Sequence, residues 1–120
     1  MRDANVKTIV VVDDDQDQAE LLAHALSARG FRVRAFSDPI RALAAVNAGG
    51  TDLLVADLSM PWLDGGDVVA SARVRRPGLK VILVSAYVRG AEIARRFGVP
   101  FFTKPIDLPA LRQAVLAATR

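Results

Sequence analysis

The chain alternates short unbroken apolar runs with longer stretches in which apolar residues recur every three or four positions. Lys7 to Val12 (KTIVVV) is nearly all β-branched and ends at Asp13-Asp14-Asp15, as a strand buried on both faces would. Gln16 to Arg29 follows, with Ala19, Leu22, Ala25, Leu26 and Arg29 at helical spacing. Leu21 widens that predicted apolar face, and Gly30 stops the helix. Phe31 to Phe36 (FRVRAF) alternates apolar residues with arginine, the pattern of a half-exposed edge strand. Asp38 and Pro39 open a helix as N-cap and first residue, with Ile40, Leu43, Ala44 and Val46 as its expected buried stripe. Asp52 to Ala56 is a short buried strand running into Asp57, and Leu58 to Gly66, with Pro61, Asp64 and two glycines, reads as a loop. A helix over Asp67–Arg76, a buried strand over Lys80–Val84 ending at Ser85, and a short basic helix over Arg89–Phe97 follow. Pro100–Thr103 is a brief strand before Lys104-Pro105, and Asp107 caps a last helix carrying Leu108, Leu111, Val115 and Ala118.

Strict alternation of strand and helix predicts an α/β fold around a parallel sheet with helices on both faces. The outline suits a doubly wound, flavodoxin-like five-stranded sheet of order 2-1-3-4-5, (βα)5, although alternation alone does not fix the order. At 120 residues the chain has the length of one domain, so residues 1–120 are expected to close a single core. Apolar residues at 52% and charged residues at 24% are an ordinary globular balance. The absence of cysteine excludes disulfides, thiolate metal sites and cysteine nucleophiles. The longest apolar stretch, Val81 to Val88, falls far short of the ~18 residues of a spanning helix. No apolar leader precedes Asp3, so the expectation is a soluble, cytoplasmic domain with no membrane partner.

In a doubly wound sheet, ligands bind beyond the carboxyl ends of the strands, where the strand order reverses. The residues just past each strand therefore form one rim. The first strand delivers Asp13, Asp14 and Asp15, the third Asp57, the fourth Ser85 and the fifth Lys104. Carboxylates brought within a few ångströms repel, and a hard divalent cation removes that penalty. A small, partly hydrated oxygen cluster suits Mg²⁺, which takes phosphate oxygens as its remaining ligands. The hydroxyl and the ammonium beside it are donors that suit an incoming phosphoryl group. An aspartate can be the nucleophile that accepts that group. The residues thus point to Mg²⁺-assisted phosphorylation of an aspartate.

The chain resembles the receiver (phosphoacceptor) domains of two-component response regulators, of the single-domain chemotaxis type. The matching segments are VVVDDD at 10–15, DLLVADLSMPWLDG at 52–65, VILVSA at 81–86 and FFTKP at 101–105. Each alone is weak; the four together, in order, span nearly the whole chain. The resemblance implies that Asp57 accepts phosphate from a sensor histidine kinase or a histidine phosphotransfer protein. It implies that Asp14 and Asp57 bind Mg²⁺, with Asp13 acting through water and the backbone carbonyl of Ser59 as a further ligand. Ser85 matches the family's hydroxyl position, which contacts the phosphoryl group and moves on activation. Lys104 matches the phosphate-contacting lysine, with a cis bond to Pro105. Phe101 matches the aromatic switch, and Ser59 and Tyr87 match the two variable positions that tune hydrolysis. The output is a change in the face formed by the fourth helix, fifth strand and fifth helix, read by a downstream protein or output domain.

Three departures bear on that reading. Phe101 carries no hydroxyl where many relatives have tyrosine. Ser59 and Tyr87 set the phosphate lifetime by their identity. The Ser85–Lys104 segment is several residues shorter than usual, so the fourth helix is expected to be short or irregular. A homodimer is left open, and one through the usual fourth-helix face is put in question. Arg73, Arg75, Arg76, Arg89, Arg95 and Arg96 make the C-terminal half basic. Without a reading helix or aromatic platform this suits a solvated face or an acidic protein partner better than nucleic acid. His24 reads as a surface residue and Trp62 as a half-packed ring beside the site. A non-phosphorylated interaction module on the same fold is the alternative function; a haloacid-dehalogenase-type phosphatase would need an aspartate at 59, where this chain has serine. Three negative charges after the first strand also disfavour a flavin phosphate there.

Overall fold

The computed structural model describes residues 6–59 and 65–120. The elements alternate as β1 (Thr8–Val12), α1 (Gln16–Ser27), β2 (Arg32–Phe36), α2 (Pro39–Asn47), β3 (Leu53–Asp57), α3 (Gly65–Arg75), β4 (Lys80–Ser85), α4 (Gly90–Phe97), β5 (Phe101–Thr103) and α5 (Leu108–Ala118). All strand pairs are parallel, and the sheet order is β2-β1-β3-β4-β5. The fold is therefore the doubly wound one expected from the sequence.

The apolar runs explain the layering. In β1, β3 and β4 successive side chains face opposite sides of the sheet, and both sides are covered. Val10, Val12, Leu54, Ala56, Val81 and Leu83 pack into a core with α2, α3 and α4. Ile9, Val11, Leu53, Val55, Ile82 and Val84 pack into a second core with α1 and α5. β2 lies at the edge, where Arg32 and Arg34 stay exposed and the Arg34 guanidinium lies 5.2 Å from the centre of the Phe36 ring.

Aspartates start three of the helices as the sequence indicated. Asp15 accepts from the amides of Asp17 and Gln18, Asp38 from Ile40 and Asp107 from Ala110. The α4 helix ends at Gly98 in the left-handed region, at φ 68°. It is short, as expected, but regular.

Several local expectations need correction. Ile40 is 65% exposed and Ala44 is exposed, whereas Val46 is buried and Leu43 packs part-buried on the core as expected; α2 also buries Pro39 and Ala42. Packing against the sheet, rather than helical spacing alone, sets which face of α2 is buried. Leu21 does not widen the core face of α1; it is 70% exposed. Gly65 and Gly66 begin α3 rather than ending a loop. Pro61, Trp62 and Asp64 lie outside the described residues. Arg73 and Arg76 are not free surface charge: Arg73 donates to the carbonyls of Phe97 (2.9 Å) and Leu79 (3.2 Å), and Arg76 donates to the carbonyl of Thr51. Among the six arginines, Arg75, Arg89, Arg95 and Arg96 remain exposed. No helix among the described residues is long and apolar enough to cross a membrane.

Leu83 is wholly buried in the central sheet, and its replacement by alanine is expected to cost about 3 kcal/mol. Leu21→Ala, at an exposed position, is expected to stay within about 0.5 kcal/mol. Urea denaturation of both variants checks the assignment; equal losses would contradict it.

Candidate functional site

The site is built by register. Val12 of β1 pairs with Ala56 of β3, so the next residues, Asp13 and Asp57, emerge side by side at the carboxyl edge of the sheet. On the other flank Asp57 pairs with Val84, and Ser85 pairs with Thr103, the residue before Lys104. Sheet-directed hydrogen bonds continue past the strand ends. Asp13 N donates to Phe36 O (3.1 Å), Leu58 N to Val84 O (2.9 Å) and Lys104 N to Ser85 O (2.8 Å). The backbone under each candidate residue is thereby held by the neighbouring strand.

A second device fixes the side chains. Asp13 Oδ1 accepts from Asp15 N (2.9 Å), Asp57 Oδ1 from Ser59 N (2.9 Å) and Ser85 Oγ from Tyr87 N (3.0 Å). In each case an oxygen at a strand end takes the amide two residues on, closing a local turn. The remaining oxygens of the two aspartates face Lys104. Its ammonium donates to Asp13 Oδ2 (2.7 Å), Asp57 Oδ2 (3.0 Å) and Gln18 Oε1 (2.8 Å). Three N–H groups meet three acceptors, so the ammonium is fully engaged. The Lys104-Pro105 bond is cis, as the resemblance implied.

The charges do not balance. Asp13, Asp14 and Asp57 can each bring a carboxylate oxygen within 4.8 Å of the others, against one ammonium. Asp13 and Asp57 are 5% and 3% exposed, while Asp14 is exposed and its carboxylate has no hydrogen bond or ion pair among the described residues. Burial pushes the Asp57 carboxyl above its ordinary value, and the Asp13 charge adds to this. The Ser59 amide and Lys104 oppose that shift without reversing it. Burial alone would lower the Lys104 pKa, but its hydrogen bonds to Asp13 and Asp57, together with their charges, outweigh it and raise the value. The two directions have different causes: burial raises the Asp57 carboxyl against its hydrogen bonds, whereas the carboxylates raise the Lys104 ammonium against burial.

Such a donor set fits a hard divalent cation. It is all oxygen and carries excess negative charge, and Asp14 offers a carboxylate open to hydrated ions. Ser59, two residues after Asp57, and Ser85, at the end of the neighbouring β4, bring their hydroxyl oxygens to 3.4 Å. Both line a cleft of about 550 Å³ with Tyr87, Arg89 and Gly90. Phe101 lies half-buried in β5. Its ring rests over Gly90, where an added Cβ would come within 2.7 Å of Phe101 Cε1 and of Leu58 Cδ1. All the residues expected at the site thus lie on one rim, with Phe101 behind it.

Two participants were not foreseen from the sequence. Gln18 stands three residues after the Asp15 cap, where the capping-box pattern assigns it to the helix end; its amide oxygen serves Lys104 instead. Gly90 matters through the ring it admits, which periodicity cannot reveal.

Residues 9–116 match the family model of the response regulator receiver domain. The chain belongs to the response regulator receiver domains. It is 34% identical over 110 residues to the transcriptional regulatory protein GlrR of Escherichia coli, covering 89% of this chain and 25% of GlrR. It is 35% identical over 117 residues to the transcriptional regulatory protein TcrA of Mycobacterium tuberculosis, covering 93% of this chain and 46% of TcrA. The chain therefore spans less than half the length of these curated relatives. The crystal structure of the response regulator TrrA from Thermotoga maritima, in complex with Mg²⁺ and beryllofluoride, superposes with a TM-score of 0.86 at 26% identity. That match covers 94% of this chain and 99% of TrrA.

The charge imbalance in this receiver domain has a measurable sign. A carboxyl whose folded pKa lies above its unfolded value favours the folded state at low pH, and that contribution is lost as pH rises through the folded pKa. Asp57→Asn removes the ionisation and leaves Lys104 paired with Asp13. In chelator-treated protein it is expected to raise the thermal midpoint at neutral pH, with the gap to wild type closing as pH falls below the ordinary carboxyl range. Thermal melts from pH 3 to 8 check this; an Asp57→Asn protein less stable at pH 7 would contradict it.

Proposed function

We propose that residues 1–120 act as one phosphoacceptor unit, in which Asp57 takes a phosphoryl group from a phosphohistidine in a Mg²⁺-dependent reaction. The carrying observation is the Lys104 ammonium bonded to both Asp13 and Asp57 beside the open carboxylate of Asp14. Asp14, Asp57 and the Ser59 carbonyl would hold Mg²⁺ directly, and Asp13 through water. Bound there, the ion supplies neutralising charge for the phosphoryl oxygens and for the attacking carboxylate. The Mg²⁺-beryllofluoride complex of TrrA supports this ligand class by analogy.

Asp57 Oδ attacks phosphorus as the P–N bond to the donor histidine breaks. The electron pair leaves on the imidazole nitrogen, which takes a proton, and an acyl phosphate remains on Asp57. Lys104 exchanges part of its contact with Asp57 for a phosphoryl oxygen. The Ser85 hydroxyl binds another, drawing the β4–α4 turn with it. Phe101 then repacks against the space this opens beside Gly90 and Leu58, and the α4–β5–α5 face changes shape. Water later attacks phosphorus and restores the carboxylate, at a rate tuned by Ser59 and Tyr87. No product leaves the cycle except phosphate, so the domain signals by partner affinity and not by turnover of a substrate. A differential affinity of a few kcal/mol suffices for such a shift.

The implied partners are a sensor histidine kinase or histidine phosphotransfer protein, and a downstream protein or output domain, in the cytoplasm. Membrane and direct nucleic-acid contacts are not part of the reading.

Incubation with acetyl phosphate and Mg²⁺ is expected to add one phosphoryl group by intact-mass analysis. The addition is expected to vanish in Asp57→Asn and on chelation of Mg²⁺. Equal labelling of wild type and Asp57→Asn would reject Asp57 as acceptor; no labelling of either would favour the interaction module.

A further inference from the structure

Ser85 is 1% exposed, so water does not complete its hydrogen bonding. Its hydroxyl oxygen accepts one bond, from Tyr87 N at 3.0 Å. One lone pair and one O–H remain, and among the described residues the other polar group in reach is Ser59 Oγ at 3.4 Å. Ser59 is exposed and can exchange this contact with solvent; Ser85 cannot. Either hydroxyl can donate across this contact; the buried Ser85 has the greater need of an acceptor, which assigns Ser59 that role in the proposal below. Ser59 is also tied to the acceptor residue, since its amide donates to Asp57 Oδ1 at 2.9 Å.

A phosphoryl group on Asp57 would offer anionic oxygens, better acceptors than a neutral hydroxyl. Ser85 would then turn its O–H to the phosphoryl group and leave a lone pair empty in a buried place, which is unfavourable unless filled. Ser59, rotating about its own C–O bond, can fill it by donating. We propose that Ser59 is a positioning residue acting through Ser85: its hydroxyl reverses from acceptor to donor, and so steers the Ser85 O–H onto the phosphoryl group. Accepting from both Tyr87 N–H and Ser59 O–H also polarises the Ser85 hydroxyl and strengthens its own donation. The proposal rests on the phosphoacceptor reading. It adds a role for the Ser59 side chain separate from that of its backbone carbonyl.

Two measurements on the full chain test it. The first needs no ligand. In ¹H–¹⁵N spectra of metal-free protein, Ser59→Ala is expected to shift the Tyr87 amide, because that amide donates to the oxygen Ser59 contacts. Ser59→Thr, which keeps the hydroxyl, is expected to restore it, and Ser59→Ala is expected to leave it unmoved in a Ser85→Ala background. The second is calorimetric titration with beryllofluoride and Mg²⁺. Ser59→Ala is expected to weaken binding about fivefold in wild type, the loss of one modest hydrogen bond, and less than about twofold in Ser85→Ala. Equal losses in both backgrounds, or a Tyr87 amide indifferent to Ser59→Ala, would overturn the proposal and leave the phosphoacceptor reading intact. A wild-type protein that takes no beryllofluoride would overturn both.

Discussion

One ammonium serves two buried carboxylates. Lys104 bridges Asp13 and Asp57 with all three of its N–H groups engaged, and this contact joins the ends of β1, β3 and β5. Breaking such a group leaves a buried charge uncompensated, which is costly, but keeping it does not make the site content. Two buried carboxylates and the exposed Asp14 face a single positive charge. The site is thus held together and under-compensated at once. That combination suits a centre that gains stability by taking up a cation and trades one oxyanion for another without rebuilding its scaffold.

The scaffold is stiff where it needs to be. β1, β3 and β4 are buried on both faces, and the ladder bonds continue beyond them to Asp13, Leu58 and Lys104. The three strand-end turns, each closed by a side-chain oxygen on the amide two residues later, preset the rotamers of Asp13, Asp57 and Ser85. The outer layer packs closely against this frame. Gly90, at the start of α4, carries the Phe101 ring directly above its Cα and Leu58 beside it. The proposed movement of the turn after Ser85 would reach that ring through this contact. Arg73 holds the other end of α4 through the carbonyl of Phe97.

Most of this was legible in the sequence because the signals agree across levels. Unbroken β-branched runs gave the central strands, an alternating run gave the edge strand, and the residues immediately following the runs gave the rim. What misled was side-chain detail. Ile40 and Leu21 are apolar residues at plausible helical positions, yet the helix faces are set by packing against the sheet and leave both in solvent. Arg73 and Arg76 look like surface charge because a sequence does not show which carbonyls lack donors; here the chain turns at Thr51, Leu79 and Phe97 supply them. Gln18 was hidden by its fit to a capping pattern. The Ser59–Ser85 contact joins residues 26 positions apart and depends on two turn conformations, which composition does not encode.

The proposed cation site is the group of rim carboxylates whose charge Lys104 only partly offsets. Calorimetric Mg²⁺ titration of wild type, Asp14→Asn and Lys104→Ala tests it directly. Saturable one-to-one binding is expected in wild type, its loss in Asp14→Asn, and tighter binding in Lys104→Ala, where the competing ammonium is gone. Absence of saturable binding in wild type, or binding indifferent to Asp14, would contradict it.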